Sequence, residues 1–266
     1  MSVRYETVPV VDTANAGLIT LNRPEHLNPI DSSVIAALDG AIDAAASDAS
    51  VRAVLVTGEG RAFSAGGDLK AYVELQRDPV AFPAFVTELH RVFGRLREMP
   101  VPVIALVNGV TAAGGLELLL NCDVALAARS ARIGDAHQNF GMMGGGGVLT
   151  LLPRFVGIQR ARELVFSGRF LDADEAASWG LVSRVVPDES LLEAGLALAG
   201  EIAGKSPLAI ANAKEVMHAA WAGGMSVDAG LRLERERNAF YCLTSSDARE
   251  GLDAFSEKRP PRFTGR

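Results

Sequence analysis

The chain has 266 residues, 48% of them hydrophobic, with 26 Lys plus Arg against 32 Asp plus Glu, a formal net charge of −6. That length and apolar fraction support one large domain, or one domain with an appendage, and the acidic balance argues against nucleic acid as the main partner. The two cysteines, Cys122 and Cys242, have no zinc or disulfide spacing, and neither a signal peptide nor an apolar run of about 18 residues is visible, so a cytoplasmic protein with no membrane span is expected.

In chain order, strand-like runs are expected at residues 17–21, 51–57, 102–107, 123–127 and 181–186. Helical patterns are expected at 32–47, 80–98, 113–121, a glycine-led 147–155 and 160–167. Strands alternating with helices indicate an α/β protein with mostly parallel pairing. From residue 188 to 257 the pattern is helical only, broken at Ser206-Pro207, Gly223-Gly224 and Ser245-Ser246-Asp247. Residues 1–205 therefore read as the α/β core that carries the site. Residues 206–266 read as a helical region, whose amphipathic stretch 227–243 suits packing against a neighbouring subunit.

Glu117 is the most informative residue. It sits inside Leu116-Glu117-Leu118-Leu119-Leu120, directly after Gly114 and Gly115. Burying an ionised carboxylate is costly unless it is paired or its pKa rises. Glycines opening a helix leave backbone N–H groups free to face negative charge. A second small-residue loop, at 58–69, follows the strand ending at Thr57. Two such loops, each presenting one N–H to the same oxygen, make an oxyanion hole. Gly144 to Gly147 lack the G-x-G-x-x-G spacing of a nucleotide loop and read better as a helix start lining an acyl pocket. Asp135 reads as a loop or cap residue rather than a replacement acid. His26, His90 and His218 suggest no chemistry of their own.

The order of several motifs then becomes specific. They are Ile19-Thr20-Leu21-Asn22-Arg23-Pro24 with Leu27-Asn28, Arg61-Ala62-Phe63-Ser64-Ala65-Gly66-Gly67-Asp68-Leu69, Pro102 to Gly109, and Gly114-Gly115-Leu116-Glu117-Leu118 running into Cys122-Asp123. The stretch 176–182 and the tail Glu250-Gly251 to Arg259 continue the series. With these the sequence resembles the crotonase, or enoyl-CoA hydratase/isomerase, superfamily over nearly its whole length. The resemblance implies a spiral of ββα units with a C-terminal helical region that forms trimers, commonly a dimer of trimers. It also implies stabilisation of a thioester enolate with no metal or redox cofactor, coenzyme A entering as part of the substrate. Carried over by position, the oxyanion donors are the N–H groups of Ala65 and Gly114, and Glu117 is one of two catalytic glutamates. Arg23, His26, Leu27, Ala65, Gly67, Asp68, Leu69 and Gly114 fall in or near the stretches that contact the CoA ester. Phe255 and Lys258 match tail positions that reach a neighbouring subunit's adenine and phosphates.

One departure stands out. The hydratase segment patterned Phe-Gly-x-Pro-Glu reads here Ile133-Gly134-Asp135-Ala136-His137, so His137 takes the place of the second glutamate, and Gly144 stands where proline is usual. An imidazole performs acid–base work near neutral pH. The favoured expectation is an acyl-CoA lyase that adds water to a 2-enoyl-CoA. The alternatives are an enoyl-CoA isomerase, a CoA-thioester or carbon–carbon bond hydrolase using His137, or a non-catalytic acyl-CoA-binding protein.

Overall fold

Near-continuous runs of branched aliphatic residues, such as Val103 to Val107, suit strands buried on both faces, and they form the centre of the computed structural model, which describes residues 1–11 and 14–266. In chain order the elements are β1 (Val3–Val11), β2 (Ala14–Leu21), α1 (Ser32–Ser47), β3 (Val51–Gly58), β4 (Ala62–Ser64), α2 (Leu69–Leu75) and α3 (Ala81–Glu98). Next come β5 (Val103–Val107), β6 (Val110–Ala112), α4 (Gly114–Leu119), β7 (Val124–Ala128), β8 (Arg132–Gly134), α5 (Val148–Val156) and α6 (Ile158–Ser167). The chain finishes with β9 (Phe170–Asp172), α7 (Ala173–Ser178), β10 (Arg184–Val186), α8 (Leu191–Ala203), α9 (Pro207–Trp221), α10 (Val227–Thr244) and α11 (Ser246–Glu257).

Among the described residues the strands form two sheets, ordered β1-β2-β3-β5-β7-β10 and β4-β6-β8-β9. Three successive units, β3–β4, β5–β6 and β7–β8, each add one strand to the first sheet and one three-residue strand to the second, followed by a helix or turn. In the first sheet pairing is parallel from β2 through β10, and in the second only β8 and β9 pair antiparallel, so the mostly parallel α/β character is as expected. Two things were not expected. β1 pairs antiparallel with β2, its polar alternation and Pro9 fitting an edge position with a register shift beside the proline. The second sheet is built from three-residue strands, too short to show a period. The site lies where these short strands end.

The larger core lies between the sheets and α1, α3 and α5, and includes Phe63, Phe93, Leu96 and Leu116. A second cluster, Leu55, Ile104, Leu106 and Leu126, is covered by α8 through Leu191 and Ala199. Beyond residue 186 every longer element is helical, as expected. α9 is fastened to the core by Lys214, whose Nζ donates to Leu96 O (3.1 Å) and Val101 O (3.0 Å) and pairs with Asp123 (2.6 Å). No helix among the described residues is long and apolar enough to cross a membrane.

Candidate active site

β6 delivers the chain to Ala113, whose backbone (φ 48°, ψ −117°) lies outside the regions a residue with a side chain prefers. Its N–H is shared between Asp135 O (2.9 Å) and Gly134 O (3.3 Å), which fastens the start of α4 to the loop leaving β8. Gly115 packs directly on Ser64, where an added Cβ would lie 2.9 Å from the Ser64 carbonyl carbon. Leu116, Leu118 and Leu119 are buried, and Glu117 goes in with them at 2% exposure.

Glu117 Oε1 accepts the N–H groups of Gly146 (2.6 Å) and Val148 (3.3 Å). Burial pushes its carboxyl above the usual range. His137 and the two amides pull it back only in part, and the charge of Asp135 adds to the rise. A Cβ on Gly146 would sit 2.7 Å from Glu117 Cδ, so glycine is required for the carboxylate to fit. The glycine cluster thus grips Glu117. Contrary to expectation, Gly144 to Gly147 do not line the cavity. Gly147 (φ 117°) does precede α5 as anticipated.

His137 follows Ala136, a left-handed residue (φ 57°) that turns the chain after β8. Its Nδ1 lies 2.8 Å from Asp135 Oδ1. Asp135 lies in the loop after β8, as expected, but it is fully buried, caps no helix and does not border the cavity; its Oδ2 has no hydrogen-bond partner among the described residues. Burial pulls the imidazole pKa down, but the Asp135 hydrogen bond and charge, together with Glu117, outweigh it and leave His137 above its ordinary value. A Cβ on Gly144 would come within 3.2 Å of Glu117 Oε1 and 3.3 Å of His137 Cε1. Both side chains therefore close on the same glycine.

One expected donor is excluded. The Ala65 N–H already donates to Leu27 O (2.9 Å), because the loop after β4 pairs with the segment before α1. Two residues on the geometry changes: Ile30 bridges to Gly67 through Gly66 O and Asp68 N, which turns the N–H of Gly67 the other way. Neither Gly67 N–H nor Gly114 N–H has an acceptor among the described residues, and both residues line the cavity. For Gly114 this follows from its place in the first turn of α4. The two loops touch, a Cβ on Gly66 (φ 103°) falling 3.3 Å from Gly114 N.

The cavity measures about 770 Å³ and is bordered by Arg23, His26, Ala65, Gly67, Asp68, Leu69, Gly114, Glu117 and His137. Leu27 is absent from its wall and acts instead through its carbonyl on Ala65. The Arg23 guanidinium is held by Asp31 (2.5 Å) and Asp68 (3.3 Å). Phe255, 85% exposed, and Lys258 lie at the end of α11, outside this cavity. Sequence reasoning missed Tyr72. Its ring lies against Gly67 and meets Phe82 and Phe85 edge-on, and burial with the nearby charge of Glu117 pushes its hydroxyl up to about 12. An aromatic on a helix gives no signal that separates it from ordinary core.

Against known proteins, the family model described as enoyl-CoA hydratase/isomerase matches residues 12–266. The chain belongs to the enoyl-CoA hydratase/isomerase family. Among relatives in this family, it is 37% identical over 262 residues to echA8 of Mycobacterium tuberculosis, named a probable enoyl-CoA hydratase, covering 98% of this chain and 99% of that one. It is 36% identical to the human mitochondrial methylglutaconyl-CoA hydratase, covering 96% of this chain and 76% of that protein. The crystal structure of an enoyl-CoA hydratase from Bacillus anthracis superposes with a TM-score of 0.91 at 32% identity, covering 98% of this chain and 99% of that one.

Proposed function

We propose that this chain adds water across the double bond of a 2-enoyl-CoA thioester. The observation that carries the reading is the convergence in one cavity of a buried carboxylate, Glu117, an imidazole, His137, and two amides, Gly67 and Gly114, with no acceptor among the described residues. The amides receive the thioester oxygen as it gains negative charge, which is where preorganised donors act most strongly. Glu117 takes a proton from water as its oxygen bonds to C3, and His137 gives a proton to C2. Turnover leaves Glu117 protonated and His137 neutral, and proton exchange with solvent restores both. The family membership and the hydratase names of the relatives agree with this reaction class.

Assembly is part of the same proposal. Phe240, Leu243, Leu252 and Phe255 expose large apolar side chains on α10 and α11, which supports a homotrimer or dimer of trimers in which Phe255 and Lys258 border a neighbour's CoA site. The chemistry is tested with crotonyl-CoA. Loss of the enoyl absorbance with formation of the 3-hydroxyacyl thioester and no free thiol supports hydration. Release of CoA thiol points to a hydrolase, double-bond migration without water uptake to an isomerase, and tight binding without product to a binding protein.

A further inference from the structure

We propose that Asp135 is a positioning residue that holds His137 as a doubly protonated imidazolium with Nε2–H turned to the substrate. The first support is geometric. Asp135 Oδ1 takes the Nδ1 side of the ring at 2.8 Å, which leaves Nε2 as the free nitrogen of a residue that lines the cavity. The second is the state of the other carboxylate oxygen. Asp135 is fully buried, and Oδ2 has no donor among the described residues. A buried carboxylate bonded through one oxygen only is poorly compensated, so its charge depends on the imidazole beside it. A neutral imidazole would leave that charge nearly bare, whereas an imidazolium neutralises it.

The rest of the surroundings act in the same direction. The charged groups that bear on the ring are Asp135 from its own loop and Glu117 from α4. The facing loop contributes Gly144, which has no charge, and α2 contributes Tyr72, whose hydroxyl stays neutral. Two carboxylates thus surround one imidazole. Ala136 in the left-handed region places the two interacting side chains on either side of a single residue, a strained backbone in service of one contact. The effect reaches the substrate only through His137, because Asp135 does not border the cavity.

The proposal rests on the hydratase reading only for the direction of proton transfer; the state of the ring is measurable without turnover. In the intact protein, titration of His137 by NMR is expected to show protonation persisting above the ordinary value of about 6.5, with Nδ1 protonated in the neutral form. Asp135→Asn preserves size and an acceptor oxygen but removes the charge, and is expected to shift that titration to lower pH by about one to two pH units. The alkaline limb of kcat should move with it while KM changes little. Asp135→Asn should add no further loss in a His137→Gln background. If Asp135→Asn does not fold, the wild-type titration still decides. A His137 that titrates below its ordinary value, an Asp135→Asn protein whose titration and pH limb are unmoved, or additive losses in the double variant would each overturn the proposal. Failure of hydration with a His137 titration raised as expected would instead count against the hydratase reading alone.

Discussion

Glu117→Gln separates what this side chain does for the reaction from what it does to the fold. Oε1 receives the Gly146 and Val148 amides, and a glutamine carbonyl oxygen accepts both in the same place, so the loop and the helix start stay where they are. Only the proton acceptor is lost. A positioned general base contributes about 100- to 10,000-fold, so kcat should fall by roughly 100-fold or more with thioester affinity retained. Stability should move the opposite way. Burial raises the folded carboxyl above its reference of 4.5, so between the unfolded and folded values the folded state binds more protons, and stability falls as pH rises through that window. Once pH passes the unfolded value, Glu117 is therefore a net cost to the folded state that glutamine removes. In a chain of this size each kcal/mol relieved raises the melting temperature by about 2 °C. Stopped-flow or steady-state hydration of crotonyl-CoA and thermal melts at pH 7.5 and near pH 4.5 measure both effects, and the melting difference should shrink at the lower pH. A variant that keeps most of its turnover, or that melts lower than wild type at pH 7.5, would refute the assignment.

Other perturbations test neighbouring parts of the site. Gly146→Ala places a Cβ 2.7 Å from Glu117 Cδ and 3.1 Å from Leu89 Cδ2, and displacing the carboxylate from its 2.6 Å amide forfeits a charge-assisted bond of about 1.5–3 kcal/mol, so kcat should drop about 10- to 100-fold in steady-state assays. His137→Glu sets a second carboxylate beside the buried Asp135, a like-charge pair that resists ionisation, so it should recover hydration over His137→Ala much better when Asp135→Asn accompanies it. Lys258 lies outside the cavity of its own chain, so under the proposed assembly Lys258→Glu should raise KM for the CoA ester with kcat little changed and a melting curve like wild type.

The frame of the fold was legible because its central strands are uninterrupted apolar runs and α1 carries its own start signal, Asp31 accepting Val34 N–H at 2.9 Å. β1 and the three-residue strands were not, since edge alternation and very short strands leave no period to read. Glu117 was legible for the reason that makes it useful: a carboxylate among leucines is expensive. The donor assignment failed at Ala65 because backbone direction is invisible in a sequence. Which of two neighbouring amides faces a cavity depends on the bridge between Ile30 and Gly67, set by chain segments more than thirty residues apart in sequence. The contact between Asp135 and His137 was not legible for a similar reason: their spacing is compatible with any turn, and only the left-handed Ala136 brings the carboxylate to the ring. Glycines 144 and 146 gave a composition signal whose meaning, room for Glu117 and His137, appears only when the loop is folded over them.

The central claim is that Gly67 and Gly114 hold one thioester oxygen while Glu117 and His137 attend the adjoining carbons. A crystal structure with butyryl-CoA, a saturated thioester that cannot be hydrated, tests it directly. The thioester oxygen should lie about 2.7–3.1 Å from both Gly67 N and Gly114 N, with Glu117 and His137 beside C2 and C3. An oxygen bound away from these two amides, or an acyl chain directed away from Glu117, would contradict the account.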